Sequence, residues 1–96
     1  MNISVTARHM DVPEEFRQHV RDKVEKLERY FDKIQTVEVT LDHEADEVTV
    51  EILAVANHKA QFVATSRDGD MTCALDQCLH KVSEQIRRHK DKVKEH

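Results

Sequence analysis

Glycine occurs once in this chain, at Gly69, and proline once, at Pro13. A loop that wraps a phosphate needs several glycines so that its N–H groups can approach the anion, so one glycine excludes the nucleotide-cradling loops. Cysteine is limited to Cys73 and Cys78. On a helix that offset is a rotation of about 140°, which points the thiols apart and excludes an internal disulfide or a metal site built on both. They read as small packing residues. Long apolar runs are missing too, none approaching the roughly 18 residues of a membrane span. The opening MNISVTARH has no charged segment followed by an apolar stretch and does not read as a secretory signal. The expected location is the cytoplasm, with no membrane partner.

Catalytic and metal-binding patterns are equally scarce. Ser4, Ser66 and Ser83 sit in no nucleophile-elbow context. His9, His19, His43, His58, His80, His89 and His96 are scattered over every segment, with no HExxH, no CxxC and no ligand-spaced pair beside an acid. The DHEAD stretch, Asp42–Asp46, lacks the glycine and terminal acid of a calcium loop and reads as a polar hairpin turn. The expectation is a protein that is not an enzyme, with no cofactor, metal or small-molecule substrate.

What is present is regular patterning. Ninety-six residues make a single domain, 1–96, and 39% hydrophobic with 35% charged residues suits a small α+β unit with a thin core. Ile3, Val5 and Ala7 alternate with polar neighbours and predict a strand over Asn2–Ala7. Pro13 suits a first helical turn, with Asp11 nearby as a cap. Phe16, Val20, Val24, Leu27, Phe31 and Ile34 then form one helical stripe. Three alternating runs follow as strands, Thr36–Asp42, Val48–Ala56 and Ala60–Arg67, joined by short polar connections at Asp42–Glu47 and Asn57–Lys59 that suit antiparallel hairpins. After Gly69, Asp70 is a helix cap, and Leu75, Leu79, Val82, Ile86 and Val93 trace the apolar face with Met71 and Cys78 at its margin. The order βαβββα predicts a four-stranded mixed sheet, its first two strands parallel, with two helices packed side by side on one face.

Charge is strongly segregated. From Leu79 to Lys94 there are six bases (Lys81, Arg87, Arg88, Lys90, Lys92, Lys94) and two acids, a net of +4, whereas Glu38–Glu51 carries six acids and no lysine or arginine. The overall charge of −4 averages two opposed surfaces, one of which can meet a polyanion. At about 100° per residue, Lys23, Lys26, Arg29 and Lys33 fall on one flank of the first helix, opposite Glu14, Glu25, Glu28 and Asp32. On the second helix, Lys81, Arg88 and Lys92 align in one stripe and Arg87, Lys90 and Lys94 in another. Side by side, these flanks could follow a phosphate backbone. Charged helix faces are more often simply solvated, with i to i+4 pairs such as Asp22–Lys26, Glu25–Arg29 and Glu84–Arg88 adding a few tenths of a kcal/mol each. Charge alone leaves both readings open.

KLERYF at Lys26–Phe31 followed by Asp32 and Ile34, DMTCALD at Asp70–Asp76, and RHKDKVKEH at Arg88–His96 decide between them. Together they resemble the short ribosome hibernation-promoting factors of bacteria and their relatives, the ribosome-associated inhibitor A proteins, across essentially the whole chain. The resemblance implies the βαβββα fold and a stationary-phase factor, monomeric when free, that binds the small ribosomal subunit, with 70S and 100S ribosomes as its assemblies. It implies that the basic helices lie against 16S rRNA in the mRNA and tRNA channel at the A and P sites, inhibiting translation. Carried over by position, the rRNA contacts would be Lys23, Lys26, Arg29, Lys81, Arg87, Arg88, Lys90 and Lys92, with Lys94 and Arg8 as further candidates. Thr72 stands where the family often has an aromatic residue, which removes a stacking contact there. The ending at His96 carries the expectation of the short type, which promotes 100S dimers. The alternatives are an inhibitor that stabilises inactive 70S without dimerisation, and a protein-binding modulator acting through the acidic segment Glu38–Glu51.

Overall fold

The computed structural model describes residues 1–56 and 60–94, with residues 30 and 91–94 described as backbone. Its elements are β1 (Asn2–Arg8), α1 (Glu14–Glu25), α2 (Leu27–Tyr30), β2 (Ile34–Glu44), β3 (Glu47–Ala56), β4 (Gln61–Asp68) and α3 (Met71–Lys94). The strands form one mixed sheet in the order β1-β2-β3-β4, with β1 and β2 parallel and the later pairs antiparallel. This is the expected α+β architecture. Alternation dictates it: Val37, Val39 and Leu41, then Val48, Val50, Ile52, Ala54 and Ala56, then Phe62, Ala64 and Ser66 all face inward. The residues between them point to the other face, where Glu38, Glu51 and Thr65 are exposed and Thr40, Thr49, Leu53 and Val55 are half-buried.

Helices cover the inward face. Val20 and Val24 of α1, Leu27 of α2, and Ala74, Leu75, Cys78, Val82 and Ile86 of α3 complete one core with the strands. α1 lies against β1, and α3 against β3 and β4. Each helix runs back along the strand it follows, and β1, β2 and β4 share a direction, so α1 and α3 run parallel to each other. Their N-termini therefore lie at the β2–β3 hairpin end and their C-termini at the opposite end.

The first helix departs from expectation. It ends at Tyr30 rather than continuing to Ile34, and it is broken at Lys26, whose N–H donates to the Lys23 carbonyl at 3.3 Å. Phe31 is extended at φ −154° and ψ 100°, and Ile34 is the buried first residue of β2. The spacing of Leu27, Phe31 and Ile34 fits a helix, but only Leu27 is helical: the chain turns at Asp32 and Lys33, where the Ile34 N–H donates to the Phe31 carbonyl at 3.4 Å, and so returns to the sheet. Phe31 stacks there against Phe62 and His89, with centroids 6.3 and 5.6 Å away. The expected cap Asp11 is not used either: Pro13 occupies the cap position without a side-chain bond, and its carbonyl accepts from Phe16 and Arg17.

At the other helix the cap is as expected, with Asp70 Oδ1 accepting from the N–H groups of Thr72 (2.8 Å) and Cys73 (3.2 Å). Cys78 is not marginal but fully buried, its Sγ 3.2 Å from the Ala64 carbonyl. Leu79 is only half-buried. The connection expected over Asp42–Glu47 shrinks to Ala45 and Asp46, because pairing continues to Glu44 opposite Glu47, and Ala45 turns with φ 53°. The connection Asn57–Lys59 lies outside the described residues.

Candidate nucleic-acid interface

Parallel helices gather the bases. Lys26 and Arg29 sit where α1 gives way to α2, and Arg87, Arg88 and Lys90 occupy the C-terminal half of α3. Both sets lie at the end of the molecule closed by Phe31, Phe62 and His89. The opposite end holds Glu44, Asp46 and Glu47 of the hairpin, Asp68 and Asp70 before α3, and Glu14 and Glu15 at the start of α1. The acids thus gather at the hairpin end of the molecule and these bases at the other, where Glu25, Glu28 and Glu84 are interleaved with them. Helix dipoles favour this arrangement, since acids stabilise helix N-termini and bases C-termini. With both helices pointing the same way, two negative dipole ends meet the same group of lysines and arginines.

The candidate contacts differ in how firmly the fold already holds them. Lys23 pairs with Asp76 across the α1–α3 seam. Lys81 Nζ donates to the Thr65 carbonyl of β4 at 2.8 Å. Arg87 pairs with Glu84 at 2.7 Å, taking the acid that spacing had assigned to Arg88. Among the described residues, the side chains of Lys26, Arg29 and Arg88 make no ion pair or hydrogen bond, and all three are exposed. Lys90 is half-buried on α3. Lys92 and Lys94 continue the helix, but their side chains lie outside those described.

The two stripes of α3 face different ways. Lys81 and Arg88 line a hollow with Val63, Ala64 and Thr65, so their stripe borders the free edge of β4. Arg87 falls close on the wheel to Asp76, whose bond to Lys23 marks the flank turned toward α1. Lys26 and Arg29 line a second hollow with Asp22, Glu25 and Glu28. Arg8 is not brought to the helices: it alternates with the inward Val5 and sits on the outer sheet face, opposite Asp42 in the register. Arg17 and Arg21 are bases that sequence reasoning passed over. Their guanidiniums donate to the carbonyls of Val5 (2.8 Å) and Ile3 (3.2 Å) on the free edge of β1. An i, i+4 arginine pair beside the apolar stripe was the available signal.

Both thiols are held toward the protonated form. Burial pushes Cys78 up to about 11, and Asp70, helped by desolvation, Asp68 and Asp76, raises exposed Cys73. Among the described residues no three histidine, cysteine or acidic side chains are grouped to hold a metal ion, and no helix is long and apolar enough to cross a membrane.

Residues 3–94 match the family described as Sigma 54 modulation protein / S30EA ribosomal protein. The chain is 34% identical over 97 residues to the ribosome hibernation promoting factor of Escherichia coli strain K12, covering 100% of both. It is 30% identical over 92 residues to the factor of the same name from Azotobacter vinelandii, covering 96% of this chain and 85% of that one. In fold it is similar to a ribosomal subunit interface protein from Coxiella burnetii (TM-score 0.87, 19% identity, 95% of this chain and 99% of the other). It is also similar to the N-terminal domain of Thermus thermophilus Protein Y (TM-score 0.83, 23% identity, 93% and 99%). On the family match over nearly its whole length and on full-length relatives above 30% identity, the chain belongs to the Sigma 54 modulation protein / S30EA ribosomal protein family, that of the ribosome hibernation promoting factors.

Proposed function

We propose that this protein is a ribosome hibernation factor that binds the small ribosomal subunit without catalysis. Its basic pole meets 16S rRNA in the mRNA and tRNA channel at the A and P sites, excludes both ligands by occupying their space, and promotes 100S dimers. The observation that carries the reading is the gathering of α1–α2 and α3 bases at one pole, with the acids of the hairpin at the other. Lysine and arginine neutralise phosphates and release counterions, and structured rRNA is met through backbone and shape. Two rigid helices suit that task, and 4% aromatic residues leave little for base stacking. Exposed Lys26, Arg29 and Arg88 supply the strongest contacts, because they give up no internal partner to make them. Lys23, Lys81 and Arg87 must release Asp76, Thr65 or Glu84, or share their charge.

Sedimentation of a stationary-phase lysate tests the proposal. The protein is expected in the 30S, 70S and 100S fractions. Presence in 70S with absence from 100S would favour an inhibitor that stabilises single ribosomes, and absence from all ribosomal fractions would overturn the reading.

A further inference from the structure

The outer face of the sheet lies opposite the helices and takes no part in the RNA contact above. Its register sets Ser4, Glu38, Leu53 and Val63 in one row and Thr6, Thr40, Glu51 and Thr65 in the next. Val63 is 49% exposed, and Leu53 and Val55 are half-buried, so three branched apolar side chains adjoin on the β3–β4 half of this face. Cross-strand neighbours on one face are close enough to act as a single surface.

The charges around that patch are unevenly satisfied. Toward the hairpin, Glu44 lies 4.0 Å from Arg67, and Asp42 meets His9 at 2.9 Å. Among the described residues, the carboxylates of Glu38 and Glu51, which border the apolar patch, make no ion pair or hydrogen bond. A surface that is apolar in the middle and unneutralised at its margin matches a cationic, partly apolar segment. It repels a phosphate backbone.

Access is limited to the face itself. Arg17 and Arg21 occupy backbone carbonyls on the β1 edge, while Lys81 and Gln85 occupy Thr65 and Val63 on the β4 edge. A partner therefore cannot add a strand at those positions, the usual way a sheet recruits a peptide. We propose that this face docks a cationic protein segment whose apolar side chains cover Leu53, Val55 and Val63 while its lysine or arginine heads reach Glu38 and Glu51. Binding here leaves the basic pole free, so the protein can hold RNA and a basic protein segment at once.

The test is an NMR titration of the isotopically labelled full chain with a synthetic peptide of alternating lysine and leucine, beside a control of alternating lysine and serine. The leucine peptide is expected to shift the amides of Glu38, Glu51, Leu53, Val55 and Val63. Replacing leucine by serine should weaken binding about ten-fold, as loss of apolar anchors does. Glu38→Gln with Glu51→Gln should weaken it several-fold through lost charge complementarity, and Val63→Thr provides a second variant at an exposed site. Shifts centred on the 44–47 hairpin or the start of α3, equal affinity for both peptides, or the same face responding to a single-stranded RNA oligonucleotide would each overturn the proposal.

Discussion

Gly69 is a glycine the fold does not require. It has no positive φ, and a Cβ there would meet only the Asp46 carbonyl oxygen, at 3.8 Å. Gly69→Ala is expected to stabilise the protein by about 0.5 kcal/mol through a less disordered unfolded chain, and a drop in the denaturation midpoint would contradict that. Cys78 has a larger, pH-dependent effect. Burial foremost, with Glu51 adding to it, raises its thiol from 9.0 to about 11, against a backbone N–H of Ile52 and the Lys81 charge. Because the folded value lies above the unfolded one, this stabilisation is complete below pH 9 and is lost as pH rises through about 11. Its size is on the order of 2 kcal/mol. Denaturant unfolding of the wild type and Cys78→Ala should therefore converge by about that amount between mildly and strongly alkaline pH, whereas a constant difference would refute it. The sequence showed that the two thiols point apart. It also reads both as packing residues, but only Cys78 is buried and Cys73 is exposed, because burial depends on where β3 and β4 lie beneath α3.

At the level of elements, the two outer strands are held by side chains rather than by further strands. Gln85 is the clearest case: its Nε2 donates to the Val63 carbonyl at 2.7 Å and its Oε1 accepts from the Val63 N–H at 3.2 Å. The amide thus replaces one residue of a missing neighbour. Gln85→Ala should cost about 1 kcal/mol in unfolding free energy and should make the protein associate with rising concentration, because the β4 edge is opened to pairing. A monodisperse sedimentation profile at every concentration would refute the second part. These bonds join residues 12 to 22 positions apart, so periodicity, which reports only near neighbours, could not disclose them. The same limit explains the first helix. Phe31 and Ile34 continue its spacing, and only their packing against the sheet and His89 shows that the chain is already extended there.

For the molecule as a whole, charge polarity governs binding. If about six phosphates are neutralised at the basic pole, log K for the small subunit should fall with log salt at a slope of several units. Reversing Lys26→Glu together with Arg88→Glu should abolish association while changing unfolding by less than about 1 kcal/mol, since both side chains are exposed and unpaired among the described residues. Flat salt dependence, or undiminished binding by the double variant, would argue against the interface. The candidate site was legible as a list of bases on two helices. Its ranking was not, because pairing to Asp76, Thr65 and Glu84 is a property of folded neighbours.

Alternation of apolar residues in the strands and helical stripes determined the βαβββα order and which face of the sheet is buried, since one-sided burial admits a single parity for each strand. The opposed acidic and basic segments were likewise explicit in the residues. Tertiary structure alone decided that the acids of the hairpin and the bases of the helices lie at opposite ends while Glu38 and Glu51 fall on the outer sheet face, because the parallel course of α1 and α3 follows from the crossover and the strand directions. It also decided which cations are held internally and which are free, because an ion pair needs a partner within a few ångströms and sequence distance does not measure that.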